Sequence, residues 1–314
     1  MTASAVTSSI GSLDELYAAL APLSIGAGWN KPTPSLYPQP KARFRPARWR
    51  YRDAHAALEA AGRLVDTELA ERRNLILANP GGDGYATTAT LVSAYQMLLG
   101  GERARSHRHT PNALRLVLDT EPGAYTVVDG VRLDMSPGDV VLTPNWCWHG
   151  HGNEGRAAAY WIDYLDVPLV HALEPMFYEP HPDGYEAIHR VAERSPYIYA
   201  WSETQTRLAA ASPDPSGRFG RQIALDAFRL KTIGLFMLAL EGRTAELQTS
   251  ANNIYSVVRG RGRSRIAGQT FDWERGDVIV APAWQPHVHE SDGEAVLFRV
   301  TDEPLLAALD WLRS

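Results

Sequence analysis

Residues 137–149, PGDVVLTPNWCWH, recur as RGDVIVAPAWQPH at residues 275–287. Gly138 pairs with Gly276, Asp139 with Asp277, Pro144 with Pro282, Trp146 with Trp284 and His149 with His287. In each copy a Gly-Asp turn leads into an apolar strand that ends at proline, which is a hairpin signal. The likeness extends upstream. Asp129-Gly130 matches Ala267-Gly268, and NALRLVLDTEPG (112–123) matches NNIYSVVRGRG (252–262) after one-residue adjustments. Two copies of one β module are implied. A barrel or jelly roll closes such strands without open edges, so the expected class is mainly β.

Around the repeat the chain predicts four parts. Residues 1–70 form a helical arm. It carries a helix over 12–23, with Ser12 and Glu15 as a capping box and Leu13, Leu16 and Leu20 on one face. Residues 30–50, rich in proline and basic residues, read as extended. A second helix, capped by Asp53, runs to Leu69 with Leu58, Val65 and Leu69 inward. Residues 71–170 form the first β module, 171–222 a mixed connecting segment with an exposed linker at 212–220, and 223–314 the second module with a closing helix.

Composition excludes several functions. The chain has 314 residues, 45% of them hydrophobic and 21% charged, which is a soluble globular composition. The formal charge of −5 and the lack of a basic run argue against nucleic acid as the main partner. Its single cysteine, Cys147, permits no intrachain disulfide and fits a reducing cytoplasm; between two tryptophans it reads as packing. MTASAVTSSIGS lacks the basic and apolar regions of a signal peptide. No apolar run approaches the roughly 18 residues that span a bilayer.

Four of the ten histidines fall in two motifs of the first module: His107 and His109 in SHRHTPNALRLVLD (106–119), and His149 and His151 after the Gly-Asp strand. Side chains at i and i+2 of a strand share a face, about 6.6 Å apart at Cα. Two imidazoles so placed can converge on one ion at about 2.0–2.1 Å. A third ligand must come from a neighbouring strand, and His149 is the best candidate. If the strand runs on, Arg115 has the parity of His107 and His109 and would face the metal beside a bound anion. The second module has no histidine in ELQTS (246–250), its counterpart of HRH. One metal per chain is therefore expected, with His287 and His289 structural.

ERRNLILANPG (71–81), HRHTPNALRLVLD (107–119), residues 123–155 and WIDYLDVPLV (161–170) resemble the gentisate 1,2-dioxygenase group of bicupins, which includes salicylate and 1-hydroxy-2-naphthoate dioxygenases. The resemblance covers roughly residues 70–300. It implies two cupin barrels, Fe(II) in the first held by His107, His109 and His149, and a homo-oligomer, often a tetramer. It also implies that Gln96 and His151 touch the substrate; Arg72 or Arg73 is a further carboxylate contact. Where many cupins carry a Glu after HxH, this chain has Ala113 and Leu114, which leaves three neutral ligands. Tyr164 stands where the family usually has Gly.

The expected activity is extradiol-type cleavage of a salicylate-like acid, gentisate or a 5-substituted salicylate such as 5-nitrosalicylate. Both atoms of O₂ enter between the carboxyl- and hydroxyl-bearing carbons. Arg115 and His151 are the candidate catalytic side chains. The rival readings are a bicupin that binds a small aromatic acid without turnover and a metal-dependent isomerase on the same barrel.

Overall fold

The computed structural model describes residues 10–41 and 43–314, in two compact units that part after Lys41. In the first, helix Leu13–Leu20 is capped as expected. Ser12 Oγ accepts from the Glu15 N–H at 3.2 Å, while Glu15 Oε2 reaches back to the Gly11 N–H. The expected inward face is not buried: Leu13 is exposed and no residue of the helix is fully covered. So short a unit has too little apolar surface to build a core.

The second unit is a bicupin. Among the described residues, the first barrel is two six-stranded sheets. One contains Val92–Leu98, Ala113–Asp119, Val140–Thr143 and Ala159–Leu165; the other contains Arg103–His109, Ala124–Val128, Val131–Asp134 and His149–Asn153. The first of these sheets is buried on both faces. Leu114, Leu116, Ile162 and Tyr164 join the core between the barrels, while Val117 and Trp161 point into the barrel. Strict alternation sends each set to its own side. Tyr164 lies in the inter-barrel core, its hydroxyl 2.5 Å from Ser256 Oγ and its ring edge-on to Phe298.

The second barrel is one eight-stranded sheet built on Asn253–Arg259, Val278–Ala281, Gly234–Arg243 and the long strand His287–Thr301. The repeat is visible in its backbone. Trp146 and Trp284 both take positive φ, 59° and 65°, as do Asp129 and Ala267, 46° and 47°.

Each barrel lends the other a strand and a helix. Strand Ala47–Trp49 precedes the first barrel but pairs with Val278–Val280 of the second. Strand Ile198–Tyr199 precedes the second but pairs with Val140–Val141 of the first. The helices that follow, Tyr51–Leu64 and Trp201–Ala209, begin on the repeated Gly-Asp turns. The Tyr51 N–H donates to Asp277 Oδ1 at 2.9 Å and the Trp201 N–H to Asp139 Oδ1 at 2.7 Å. A Cβ on Gly276 would lie 2.5 Å from the Tyr51 ring, and one on Gly138 2.6 Å from the Trp201 ring. Glycine is required here both by contact and by positive φ. The helix expected from Asp53 to Leu69 is therefore two helices, Tyr51–Leu64 and Thr67–Ala70. Asp53 lies inside the first turn, Asp66 caps the second piece, Leu58 is buried and Leu69 is exposed. The Gly-Asp turn captures the chain before Asp53 can cap it.

A second exchanged pair closes the seam. Asp166 accepts from the Asn112 N–H at 2.7 Å, the Asn112 amide at 3.0 Å and the Thr232 hydroxyl. Asp302 accepts from the Asn252 N–H and amide, each at 2.7 Å, and from the Thr90 hydroxyl at 2.6 Å. Each threonine comes from the other barrel's lead-in segment. Asp302 is 1% exposed, so its carboxylate has no water to replace a lost donor. Asp302→Asn keeps the shape but replaces one accepting oxygen by an amide NH2 that faces donors. It is expected to cost about 2–3 kcal/mol in a urea titration; a loss below about 0.5 kcal/mol would show that the clamp contributes little.

Candidate metal centre

The centre is set by one strand pairing. Arg103–His109 runs antiparallel to His149–Asn153, with Ala104 opposite His151 and His107 opposite His149. Arg105 and Ser106 on one strand thus face the single Gly150 on the other, a bulge that brings His107 and His149 directly across from each other. His109 lies two residues on, on the same face. The ring centroids are 4.6 Å apart for His107–His149, 4.8 Å for His109–His149 and 5.5 Å for His107–His109. Among the described residues these three form the group able to hold a metal ion, with ligand atoms all within 4.8 Å of one another.

The rings are held neutral, as ligation requires. Burial drives the His107 pKa down to about 3, helped by the charge of Arg72 and by His109. Burial also lowers His109, and it lowers His149 well below the usual histidine value, with His107 and His109 adding to the effect. His109 Nδ1 lies 2.8 Å from the Pro111 carbonyl and His149 Nδ1 3.0 Å from the Cys147 carbonyl. Those carbonyls take the Nδ1 protons and leave the Nε2 lone pairs free for an ion. Three neutral nitrogens with no carboxylate fit a divalent first-row metal.

Arg115 reaches the interior by a different route from the one expected. The HxH strand ends at His109, and Arg115 lies on Ala113–Asp119 in the opposite sheet. Thr110, Pro111 and Asn112 turn the chain between them, because proline cannot supply a ladder N–H. The Arg115 guanidinium is 2% exposed and already engaged. It donates to Thr126 Oγ1 at 2.9 Å, to His151 Nδ1 at 2.7 Å and to Asp163 Oδ2 at 3.2 Å. Burial lowers its pKa to about 10, against the pull of Asp163, so it stays charged. The guanidinium lies along one edge of the His151 ring, Nη1 2.7 Å from Nδ1 and Nη2 3.1 Å from Nε2; an arginine can only donate, so whichever ring nitrogen lacks the proton is its acceptor. Burial and the Arg115 charge hold His151 neutral.

Gln96 is buried on Val92–Leu98, and its Oε1 accepts from Arg72 Nε. The two candidate arginines part company here. Arg73 pairs with Glu102 and donates to the Val65 carbonyl, away from the histidines. Arg72 has one loose ion pair, 3.6 Å to Glu71, and its charge bears on His107, His109, His149 and His151. Sequence reading passed over Asp163, although a carboxylate inside the apolar run WIDYL is itself a signal. It also passed over Tyr178, whose ring centroid lies 5.3 Å from that of His107 and whose irregular surroundings carry no periodic pattern. Cys147 is buried, with its thiol pushed up to about 12 by burial.

The second barrel shows what the same frame becomes with other side chains. Leu247 forms a bridge with His287, as His107 does with His149. The Thr249 carbonyl takes the Trp284 N–H where the His109 carbonyl takes that of Trp146. Leucine and threonine thus stand at the two HxH positions. The Tyr255 hydroxyl lies 2.8 Å from His287 Nε2, and Ser264 Oγ 2.7 Å from His289 Nδ1.

Residues 94–167 match the model of the cupin domain. The chain is 33% identical to gentisate 1,2 dioxygenase 1 of Aquipseudomonas alcaligenes, over 92% of each. It is 32% identical to 5-aminosalicylate 1,2-dioxygenase of a Comamonas species, over 95% of this chain and 88% of that one. Its structure superposes on the crystal structure of a salicylate 1,2-dioxygenase from Pseudaminobacter salicylatoxidans with a TM-score of 0.87 and 28% identity, covering 96% of this chain and 97% of the other. With its fold, its histidine triad and a relative matched along nearly the whole length, the chain belongs to the gentisate and salicylate 1,2-dioxygenase family of bicupins.

Proposed function

We propose that the protein cleaves the ring of a salicylate-type acid, gentisate or a 5-substituted salicylate such as 5-nitrosalicylate, with Fe(II) held by His107, His109 and His149. Both atoms of O₂ are inserted between the carboxyl- and hydroxyl-bearing carbons, which is cleavage of the extradiol type. The observation that carries the reading is a triad of neutral imidazoles beside a cationic, weakly paired Arg72 in a chain of this family. Three neutral ligands leave an ion's charge uncompensated, and a salicylate dianion would balance it. Bound iron supplies the redox chemistry with O₂ that side chains lack.

The chain's own residues orient the acid. Arg72, freed from Glu71, makes charge-assisted bonds to the substrate carboxylate, and Gln96 holds its Nε in place. His151 hydrogen-bonds the phenolic oxygen and can give or take its proton. Arg115 is already neutralised by Asp163, so its part is to fix the ring of His151 within the site. The reading includes a cytoplasmic homotetramer that acts on a small acid and O₂ rather than on nucleic acid or membrane. The net charge of −5 weighs against nucleic acid, and the exposed Leu23, Ile25, Trp29 and Leu36 favour association with further copies of the chain.

Protein purified without air is expected to carry iron in proportion to chain and to consume O₂ at an electrode with one of gentisate, salicylate, 5-aminosalicylate or 5-nitrosalicylate. No uptake with any of them rejects the activity. His109→Ala should lose the bound metal by elemental analysis, since two imidazoles alone hold it poorly. Arg72→Ala should raise KM about 10- to 100-fold, the worth of hydrogen bonds to a charged group. Arg73→Ala should act on stability instead, and equal KM effects at the two positions would refute the assignment.

A further inference from the structure

Two of the three metal-binding rings are fixed by well-formed bonds from Nδ1 to backbone carbonyls, and the third is held more loosely. His107 Nδ1 is buried and makes no hydrogen bond of full geometry, its support on the backbone being the Arg105 carbonyl. A ligand ring so weakly tied can swing about its side-chain torsion unless packing stops it. On the side away from the other two histidines, packing comes from the connecting segment. Strand Tyr178–Pro180 runs antiparallel to the HxH strand, with Tyr178 opposite His109 and Glu179 opposite Arg108. The Tyr178 ring leans diagonally onto His107, with centroids 5.3 Å apart and planes at 35°. Diagonal neighbours across a strand pair are within reach of an aromatic side chain.

The strand that brings Tyr178 is clasped from outside. Arg108, the middle residue of HRH, donates from Nε and Nη2 to Glu179 Oε2 at 3.0 and 2.7 Å. Its guanidinium lies 4.6 Å from the centre of the Trp146 ring and 4.4 Å from that of Trp148. Those tryptophans flank the turn that leads into His149. One arginine therefore ties the HxH strand, the turn before the third ligand and the strand of Tyr178 together.

We propose that Tyr178 is the positioning residue of His107, its ring completing for that ligand the support that the Pro111 and Cys147 carbonyls give the other two. The inference rests on the metal-site reading above. It assigns the connecting segment a part in metal binding, and it makes the face of the tyrosine ring, not its hydroxyl, the operative group.

Metal-depleted protein is titrated with Co(II) in competition with a chromophoric chelator, and the metal-free form is melted in parallel. Tyr178→Ala is expected to weaken Co(II) binding about tenfold, the lower end of the effect of removing a ligand's supporting contact. Its metal-free melting temperature should stay at the wild-type value. Tyr178→Phe should bind as wild type does, and Glu179→Gln should fall between the two. Wild-type affinity in Tyr178→Ala overturns the proposal. So does a parallel fall in affinity and metal-free melting temperature, which marks a merely structural role. A Phe variant as weak as the Ala variant overturns it as well, by moving the effect to the hydroxyl. A wild-type chain that takes up no Co(II) overturns the metal-site reading, and this proposal with it.

Discussion

The pairing of Arg103–His109 with His149–Asn153 governs the centre. A single bulged register sets His107 across from His149, and everything chemical follows from that adjacency. The two motifs lie about forty residues apart in sequence, and only a closed sheet brings them into one plane of ligands. Burial then does the electrostatic work. It keeps the rings neutral and leaves one nitrogen lone pair on each, an arrangement that favours an ion between them.

Much of the fold was legible in the chain because the module is written twice. The Gly-Asp turns, the Trp-containing bends and the shared Asn112 and Asn252 positions impose the same backbone on both copies, and that repetition outweighs any one weak signal. The metal ligands were legible because HxH on a strand has a strict geometric meaning. The strand carrying Arg115 was misread because parity was carried through Thr110–Asn112, where the chain changes sheets. The inward faces of the first two helices were misjudged for a different reason. Periodicity identifies an apolar stripe but does not say whether a neighbour exists to cover it, as the exposed Leu13 and Leu69 show.

Some of the site lay beyond local pattern. The choice between Arg72 and Arg73 depends on Glu102, 29 residues on from Arg73, and on the Val65 carbonyl, neither of which a local pattern around the two arginines announces. Tyr164 reads as an anomaly along the chain, yet its hydroxyl and ring are both satisfied by the other barrel. The polar pair Arg115–Asp163 is likewise a tertiary fact. Each residue alone in an apolar strand is a warning, and only the cross-strand register, Asp163 opposite Arg115, explains both.

The exchanged strands and helices bear on how such a molecule can come apart. Removing the histidine-poor half would strip the other half of the Ile198–Tyr199 edge, the cover over Gly138 and the Thr232 bond to Asp166. Neither barrel, so interlaced, closes its own seams, and the lobe without the histidine triad props up the one that has it. Repetition has here become mutual dependence.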